Sequence, residues 1–169
     1  MDLQHLADRA AISDVVTAYA TGIDRRDWAL YRSIFTDPVH IDFSSFSGGS
    51  GTEMAREDWV QRVRGLQDGF DATQHLSTNH VVTLDAFGPD GLASAATCVS
   101  EMHAQHYIAD QPVTFCTLGG HYTNQLVRTP DGWRIRSCTL TVRWETGTRA
   151  IFPIALDRAP RRRHLARSD

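Results

Sequence analysis

Four long runs of strand-forming residues follow one another in the second half of the chain, and they constrain the fold more than any other feature. The runs cover residues 75–84, 92–108, 113–127 and 133–144. The segments between them, GPDG, ADQP and TPDG, contain the glycine, proline and aspartate typical of tight turns. Because long strands joined by short turns pair with their neighbours, the pattern predicts an antiparallel and strongly curved sheet.

Helical periodicity dominates the residues before this sheet. Apolar residues recur at three- and four-residue steps over residues 3–23, which predicts a first helix. Asp27 has the position of an N-cap for a short second helix, WALYRSIF, which the following DP dipeptide ends. After a short strand over residues 39–43 and a loop, SSFSGGSGT, residues 56–66 predict a third helix.

Helices first and a long sheet afterwards is the order of an α+β domain in which the helices cover one face of the sheet. We therefore predict a cone-shaped barrel, with a mainly antiparallel sheet wrapped over three N-terminal helices and a pocket where the cone is not filled. The length of 169 residues suits one domain, which we place at residues 1–157. The arginine-rich residues 158–169 are predicted to form a basic, frayed tail.

Composition and charge argue against several classes of function. The formal net charge of −3 gives no electrostatic reason to bind nucleic acid or an anionic membrane. The sequence contains neither an apolar run of the roughly 18 residues that span a bilayer nor a signal peptide, so we expect a cytoplasmic protein. The three cysteines lack the spacing of a disulfide framework or a zinc site, and no phosphate-binding loop is present. We expect no metal and no cofactor.

Three motifs together resemble the SnoaL-like branch of the nuclear-transport-factor-2 superfamily. They are AISDVVTAYATGIDRRDWALYRSIFTDPV, TQHLSTNH and GGHYTNQLVRTPDGWRIRSCTLTVRW, and the resemblance extends over residues 3–155. Scytalone dehydratases, hexachlorocyclohexane dehydrochlorinases and bile-acid 7α-dehydratases are the most similar branches. The resemblance implies the NTF2-like, cystatin-like cone, a small hydrophobic ligand, and assembly as a homo-oligomer, either a dimer or a trimer.

The resemblance also implies a catalytic set, residue by residue. Asp24 in GIDRRD matches the acid that follows the first helix, and His75 in TQHLSTNH matches the histidine on the strand after the third helix. Tyr19, five residues before the acid, and Arg143, late in the final strand, match polar helpers. A histidine can remove a proton from an acidic C–H, and a carboxylate on its other ring nitrogen would fix its tautomer.

Further residues are expected to line the substrate pocket. His103, Tyr122, Trp144 and Phe43 form the predicted binding set. The resemblance to scytalone dehydratase implies a second histidine on a middle strand, and either His103 or His106 could supply it. Because residues three apart on a strand face opposite sides, at most one of these two histidines enters the pocket.

Each predicted catalytic residue also has a purely structural interpretation. Asp24 precedes two arginines and has the composition of a solvated turn residue. An isolated histidine such as His75 is more often a hydrogen-bonded strand residue than a base. Tyr19 lies on the apolar stripe of the first helix, so it is equally suited to the core.

The favoured hypothesis is an enzyme, namely a cofactor-independent lyase, isomerase or cyclase acting on a small hydrophobic molecule. A dehydratase-like elimination that begins with proton removal by a His-Asp dyad fits the resemblance best. A non-catalytic small-molecule-binding domain of the same fold is one alternative. A small subunit of an aromatic-ring dioxygenase is another, and it requires a large interface with a partner chain.

Overall fold

The structure, a computed structural model, describes residues 3–112 and 114–165 of the chain. The helices are α1 (Leu3–Asp24), α2 (Trp28–Ser33), α3 (Ser44–Ser47), α4 (Arg56–Gln67) and α5 (Ile151–Leu165). The strands are β1 (Phe35–Asp42), β2 (Thr52–Met54), β3 (Ala72–Phe87), β4 (Ala93–Tyr107), β5 (Phe115–Thr129) and β6 (Gly132–Gly147). The four long strands predicted from the sequence correspond to β3–β6, although residue 113, predicted to begin the third of them, lies outside the described residues.

One mixed sheet carries the six strands in the order β2-β1-β6-β5-β4-β3. The neighbours are antiparallel except for β1 and β6, which run parallel. The α+β class and the mainly antiparallel sheet are therefore confirmed. The sheet is open between β2 and β3, so the cone is a curled sheet and not a closed barrel.

Helix α1 covers one face of the sheet through a stripe of apolar side chains. Ile12, Val16, Tyr19 and Ile23 follow one another at steps of four, three and four residues, and all four are buried. This spacing places them on one side of a helix, as the periodicity predicted. The stripe packs in the core with residues of α4 and of the sheet.

A buried carboxylate fixes the N-terminal half of α1 to the sheet. Asp8 Oδ2 accepts a hydrogen bond of 2.6 Å from Arg128 Nη2 on β5, and Asp8 Oδ1 accepts one of 3.3 Å from Trp133 Nε1 on β6. Burial by itself raises the pKa of Asp8, but these donors and the amide of Gln4 hold it below its ordinary value. The ion pair is therefore present at neutral pH.

Helix α2 begins as predicted and ends earlier than predicted. The Asp27 carboxylate accepts a 2.9 Å hydrogen bond from the backbone N–H of Leu30, which is the geometry of an N-cap. The helix ends at Ser33, because the carbonyl of Ile34 already accepts a 2.7 Å hydrogen bond from Ile135 of β6. The strand predicted over residues 39–43 consequently begins four residues earlier, at Phe35.

The segment SSFSGGSGT is not a plain loop, so that prediction is wrong. It contains the single helical turn α3 and the start of β2, which pairs with β1 through Ile41 and Thr52. Glycine and serine composition indicated a loop, whereas tertiary contacts determine the structure. The ring of Phe46 packs against Phe152 of α5, with 5.0 Å between the ring centroids.

The last described element is helix α5, which the sequence did not predict. Residues 158–165 belong to this helix, so the expected frayed tail does not apply to them; residues 166–169 lie outside the described residues. Arg158 and Arg162 both bind Asp71, the residue immediately before β3. The basic composition suggested a solvated tail. The acidic partner of these arginines lies far away in the sequence, so composition alone could not reveal the ion pairs.

Candidate active site

A cavity of about 390 Å³ lies inside the cone, between the helices and the curled sheet. Its lining is mainly apolar, and six aromatic rings contribute to it: Tyr19, Phe43, Phe46, Trp59, Tyr122 and Phe152. The size is typical of sites for small organic molecules. Tyr19, Phe43 and Tyr122, which were predicted to lie in the pocket, therefore do lie there.

Asp24 and His75 meet through two short hydrogen bonds, and Thr73 adds a third to the same carboxylate. Asp24 is the last residue of α1, and His75 lies near the start of β3. His75 Nδ1 is 2.7 Å from Asp24 Oδ1, the backbone N–H of His75 donates to Asp24 Oδ2 at 2.6 Å, and the Thr73 hydroxyl donates to Oδ1 at 2.9 Å. The carboxylate thus holds both the ring and the backbone of residue 75.

The carboxylate is ionised, and this fixes the tautomer of the histidine. Burial raises the pKa of Asp24, but the hydrogen bonds and charge of His75, together with the Thr73 hydroxyl, outweigh that effect and lower it. An ionised carboxylate only accepts hydrogen bonds, so His75 Nδ1 carries the proton. The lone pair of a neutral His75 ring is consequently on Nε2.

The two members of this pair differ in their surroundings, although both border one depression on the outer surface. The His75 side chain is 5% exposed and lines the cavity. The Asp24 side chain is 22% exposed and lines two depressions on the outer surface. The histidine therefore separates the carboxylate from the cavity, which suits an orienting acid and not a group that touches a ligand.

Arg26 and Thr73 extend the pair and were missed in the sequence analysis. Arg26 Nη1 donates to the Thr73 hydroxyl at 2.8 Å and to the carbonyl of Ile23 at 2.6 Å. The Thr73 hydroxyl in turn donates a hydrogen bond to Asp24, so the three residues form a directed chain of hydrogen bonds. Two signals were available: Thr73 is two residues before His75, on the same face of the strand, and Arg26 lies in the RR pair after Asp24.

Tyr19 and Tyr122 contribute hydroxyl groups that stay neutral. Their rings are 5.1 Å apart, and Tyr31 packs against Tyr19 at the same distance. Burial raises the pKa of all three phenols well above the ordinary value. Tyr19 and Tyr122 both line the cavity, and they stay protonated, so they cannot act as bases at neutral pH.

His106, and not His103, is the middle-strand histidine that lines the cavity. Its side chain packs 5.3 Å from the His75 ring and 4.9 Å from the Phe70 ring, measured between centroids. Burial, followed by the proximity of His75, lowers the pKa of His106 to about 3, so this ring is neutral. The prediction that His103 binds substrate is wrong, because His103 faces the other side of β4 and contacts Trp144.

Arg143 and Trp144 lie on the outer face of the sheet, so neither is a pocket residue. Gly119 pairs with Trp144 and Gly120 pairs with Val142, which leaves Arg143 as an extra residue in a β-bulge. The bulge changes the inward–outward alternation of the β6 side chains. The exposed Trp144 ring covers Gly119, which has no Cβ to obstruct it. Arg143 is exposed and does not contact Asp24; Arg26 is the arginine next to the pair.

Within residues 3–112 and 114–165, no group of three or more His, Cys, Asp or Glu side chains is arranged to hold a metal ion. The same residues include no helix that is long and apolar enough to cross a membrane.

Comparison with known proteins identifies the family. The model of the SnoaL-like domain matches residues 4–139. The chain belongs to the SnoaL-like family. The resemblance noted in the sequence is thereby confirmed.

Relatives and structural neighbours of this SnoaL-like protein include both uncharacterized proteins and an enzyme. Rv2910c of Mycobacterium tuberculosis, an uncharacterized protein, is 30% identical over 136 residues, which are 80% of this chain and 85% of the relative. The solved structure of Kfla4162 from Kribbella flavida is 31% identical, with a TM-score of 0.77 over 89% of this chain and 98% of its own. The hexachlorocyclohexane dehydrochlorinase LinA-type3 from Novosphingobium barchaimii is 18% identical, with a TM-score of 0.69 over 88% and 95%. At this identity the likeness shows a shared fold.

Proposed function

We propose that this SnoaL-like protein is a cofactor-independent lyase, isomerase or cyclase in which His75 removes a proton from a small hydrophobic substrate. The observation that carries the proposal is the 2.7 Å contact between His75 Nδ1 and the ionised Asp24, on a histidine whose side chain lines the cavity. Elimination, with loss of a leaving group next to the carbanion, is the favoured outcome. The dehydrochlorinase with the same fold is named for such a reaction, which supports this choice.

Each residue has a role that follows from its hydrogen bonds. His75 Nε2 takes the proton, and Asp24 stabilises the imidazolium that forms, since it already accepts from Nδ1. The neutral hydroxyls of Tyr19 and Tyr122 donate to the oxygen on which negative charge develops. Arg26 and Thr73 act as positioning residues behind Asp24 and do not touch the substrate.

The tautomer of His75 tests the dyad without any knowledge of the substrate. In ¹⁵N NMR of the histidine rings at mildly alkaline pH, we expect His75 to be protonated on Nδ1 and unprotonated on Nε2. His75→Asn identifies the signals by their loss. A proton on Nε2 would contradict the proposal, because the ring could then neither donate to Asp24 nor accept a proton on its other nitrogen.

Proton removal itself is testable as hydrogen exchange. Ketones with acidic C–H bonds, drawn from hydroxylated aromatic, steroid and polyketide-like compounds, are incubated with the protein in D₂O, and deuterium uptake is followed by mass spectrometry. His75→Ala should reduce catalysed exchange by about 10²–10⁴-fold. The matched control is His80→Ala, which removes a histidine of the same strand that binds Ser13 and Ser77. Exchange that survives in His75→Ala would refute the role of His75.

A binding protein without catalysis is the second candidate. The 2.6 Å bond from the His75 backbone N–H to Asp24 favours it, because the carboxylate then has a structural task of its own. A ligand that binds the cavity, survives prolonged incubation unchanged and shows no exchange would support this alternative.

We also propose that the protein assembles as a homo-oligomer through the outer face of the sheet. Leu76, His103, Gly119 and Trp144 occupy one row across β3–β6, and Leu76 and Trp144 are large exposed apolar residues. Light scattering should give a dimer or trimer that Trp144→Glu dissociates. A homo-oligomer from purified protein would count against an obligate dioxygenase partner, and a stable monomer would refute self-association.

A further inference from the structure

Helix α4 carries a charged side chain on the face that lines the cavity. Its residues in the lining are Trp59, Arg62, Val63, Leu66 and Gln67. They follow one another at steps of three, one, three and one residues, which is the spacing of one helix face. Arg62 therefore shares this face with the buried Trp59 and Val63. An arginine in an otherwise largely apolar stripe breaks the local pattern, and such breaks are typical of functional positions.

The lining of the cavity is divided into a buried interior and an exposed mouth. The lining residues that are exposed, and that therefore form the mouth, are residues 47–50, Thr52, Arg62 and Leu156. Most interior side chains are apolar or aromatic, as are Met102 and Leu140. The mouth is consequently polar, with serine and threonine hydroxyls and the positive charge of Arg62, whereas the interior is suited to hydrocarbon.

No acidic side chain in the described part of the chain neutralises Arg62. The described lining includes no aspartate or glutamate, and none of the ion pairs among these residues includes Arg62. Asp58, one helical turn earlier, does not pair with it, whereas the nearby Arg64 pairs with Asp68 at 3.2 Å. The guanidinium of Arg62 is thus a cation at the mouth without a counter-charge.

This arrangement favours a negatively charged group on the ligand, placed at the mouth and not deeper. A guanidinium binds a carboxylate through two parallel N–H donors. In the interior a carboxylate would lose its hydration, and His106 would not compensate, because burial lowers the pKa of that ring to about 3. An ammonium group would be repelled by Arg62 and would find no acidic partner in the described lining.

We propose that Arg62 is a specificity-determining residue at the mouth of the cavity, and that the ligand is a mainly apolar acid whose carboxylate binds there. The apolar end of this acid enters the interior, where His75 lies. The inference deepens the proposed function by naming the charge class of the substrate. It rests on that function only in taking this cavity as the place where the substrate binds.

Three probes that differ in charge but hardly in shape test the role of Arg62. They are 4-(2-naphthyl)butanoate, the corresponding amide and 4-(2-naphthyl)butylamine, and the three methylene groups allow the polar end to reach the mouth. Binding to the full chain is measured by isothermal titration calorimetry at mildly alkaline pH and low salt. We expect the carboxylate to bind about fivefold more tightly than the amide, the upper end of the effect of a surface ion pair. The amine should bind most weakly.

Variants of Arg62 separate its charge from its packing. Arg62→Met keeps the apolar stem of the side chain and should give the carboxylate and the amide equal affinities. Arg62→Lys keeps the charge and should retain most of the preference. The matched control is Arg64→Gln, which removes the same charge two residues away from a side chain that lines an outer depression and not the cavity. High salt should reduce the preference in wild type, because exposed charges are screened.

The possible outcomes are distinct. Equal affinity for carboxylate and amide in wild type, a preference that survives in Arg62→Met, or a folded protein that does not bind the carboxylate would each overturn the proposal. A preference lost equally in Arg64→Gln would also overturn it, since the effect would then come from net charge. The preference should persist in His75→Asn, so failure of the dyad and failure of the Arg62 site give different results.

Discussion

Replacing Asp71 with Asn should loosen helix α5 and thereby open one side of the cavity. Asp71 accepts hydrogen bonds of 2.9 and 3.1 Å from the Arg158 guanidinium and one of 2.9 Å from the backbone N–H of Ala109, and it also binds Arg162. The two arginines belong to α5, which contributes Phe152 to the cavity wall. This carboxylate therefore adds polar contacts to the apolar packing that holds the helix in place.

The pKa of Asp71 gives the size of the effect. Burial raises this pKa, but Arg158, the Ala109 N–H and Arg162 outweigh it and lower it from 3.8 to about 2. Such a shift corresponds to about 2.4 kcal/mol at neutral pH, since one pKa unit equals about 1.4 kcal/mol. The side chain is 25% exposed and its partners lie at the surface, so solvent screening reduces the expected loss to about 1 kcal/mol.

Urea denaturation at two pH values measures this contribution. Because folding lowers the pKa, the stabilisation is complete above the unfolded value of 3.8 and disappears as the pH falls towards about 2. Wild type and Asp71→Asn should therefore differ at neutral pH and converge in acid. Asp14→Asn, at an exposed position of α1, is the matched control. Identical denaturation midpoints at neutral pH would refute this explanation of how α5 is held.

Substitutions at three further positions test contacts that stabilise the fold. Gly69→Ala should destabilise the protein by about 1–3 kcal/mol in urea, because the new Cβ would lie 1.9 Å from the carbonyl oxygen of Ala155; an unchanged midpoint would contradict the observed contact with α5. Asp8→Ala should reduce the free energy of unfolding by about 3 kcal/mol, since it removes the carboxylate that neutralises the partly buried Arg128; a loss well under about 1 kcal/mol would count against this ion pair. Asp27→Ala should lose about 1 kcal/mol in thermal unfolding and Asp27→Ser much less, and equal losses would argue against capping.

The long strands and the first helix were predictable because their signals are local. The stripe over residues 3–23 and the turn segments between the strands are read from neighbouring residues alone. The position of α5 depends on Asp71, more than 80 residues earlier in the chain. Composition alone therefore indicated a tail where long-range ion pairs build a helix.

The candidate-site residues could be predicted where a sequence motif identified them. They could not be predicted where the geometry of a strand decides which way a side chain points. Asp24 and His75 came from the family resemblance, and the structure brings them together. Arg143 was assigned from the resemblance and Trp144 by position along β6, and the bulge at Arg143 turns Trp144 to the outer face.

The Asp24 carboxylate binds both the backbone N–H and the ring of His75, so the aspartate and the imidazole can be lost independently in evolution. Asp24 would anchor the start of β3 to the end of α1 even in a related protein that no longer catalyses the reaction, since one of its oxygens accepts a hydrogen bond from the main chain. No comparable structural duty falls on the imidazole. Among relatives, replacement of the histidine with retention of the aspartate would therefore mark chains that keep the architecture after the chemistry has gone.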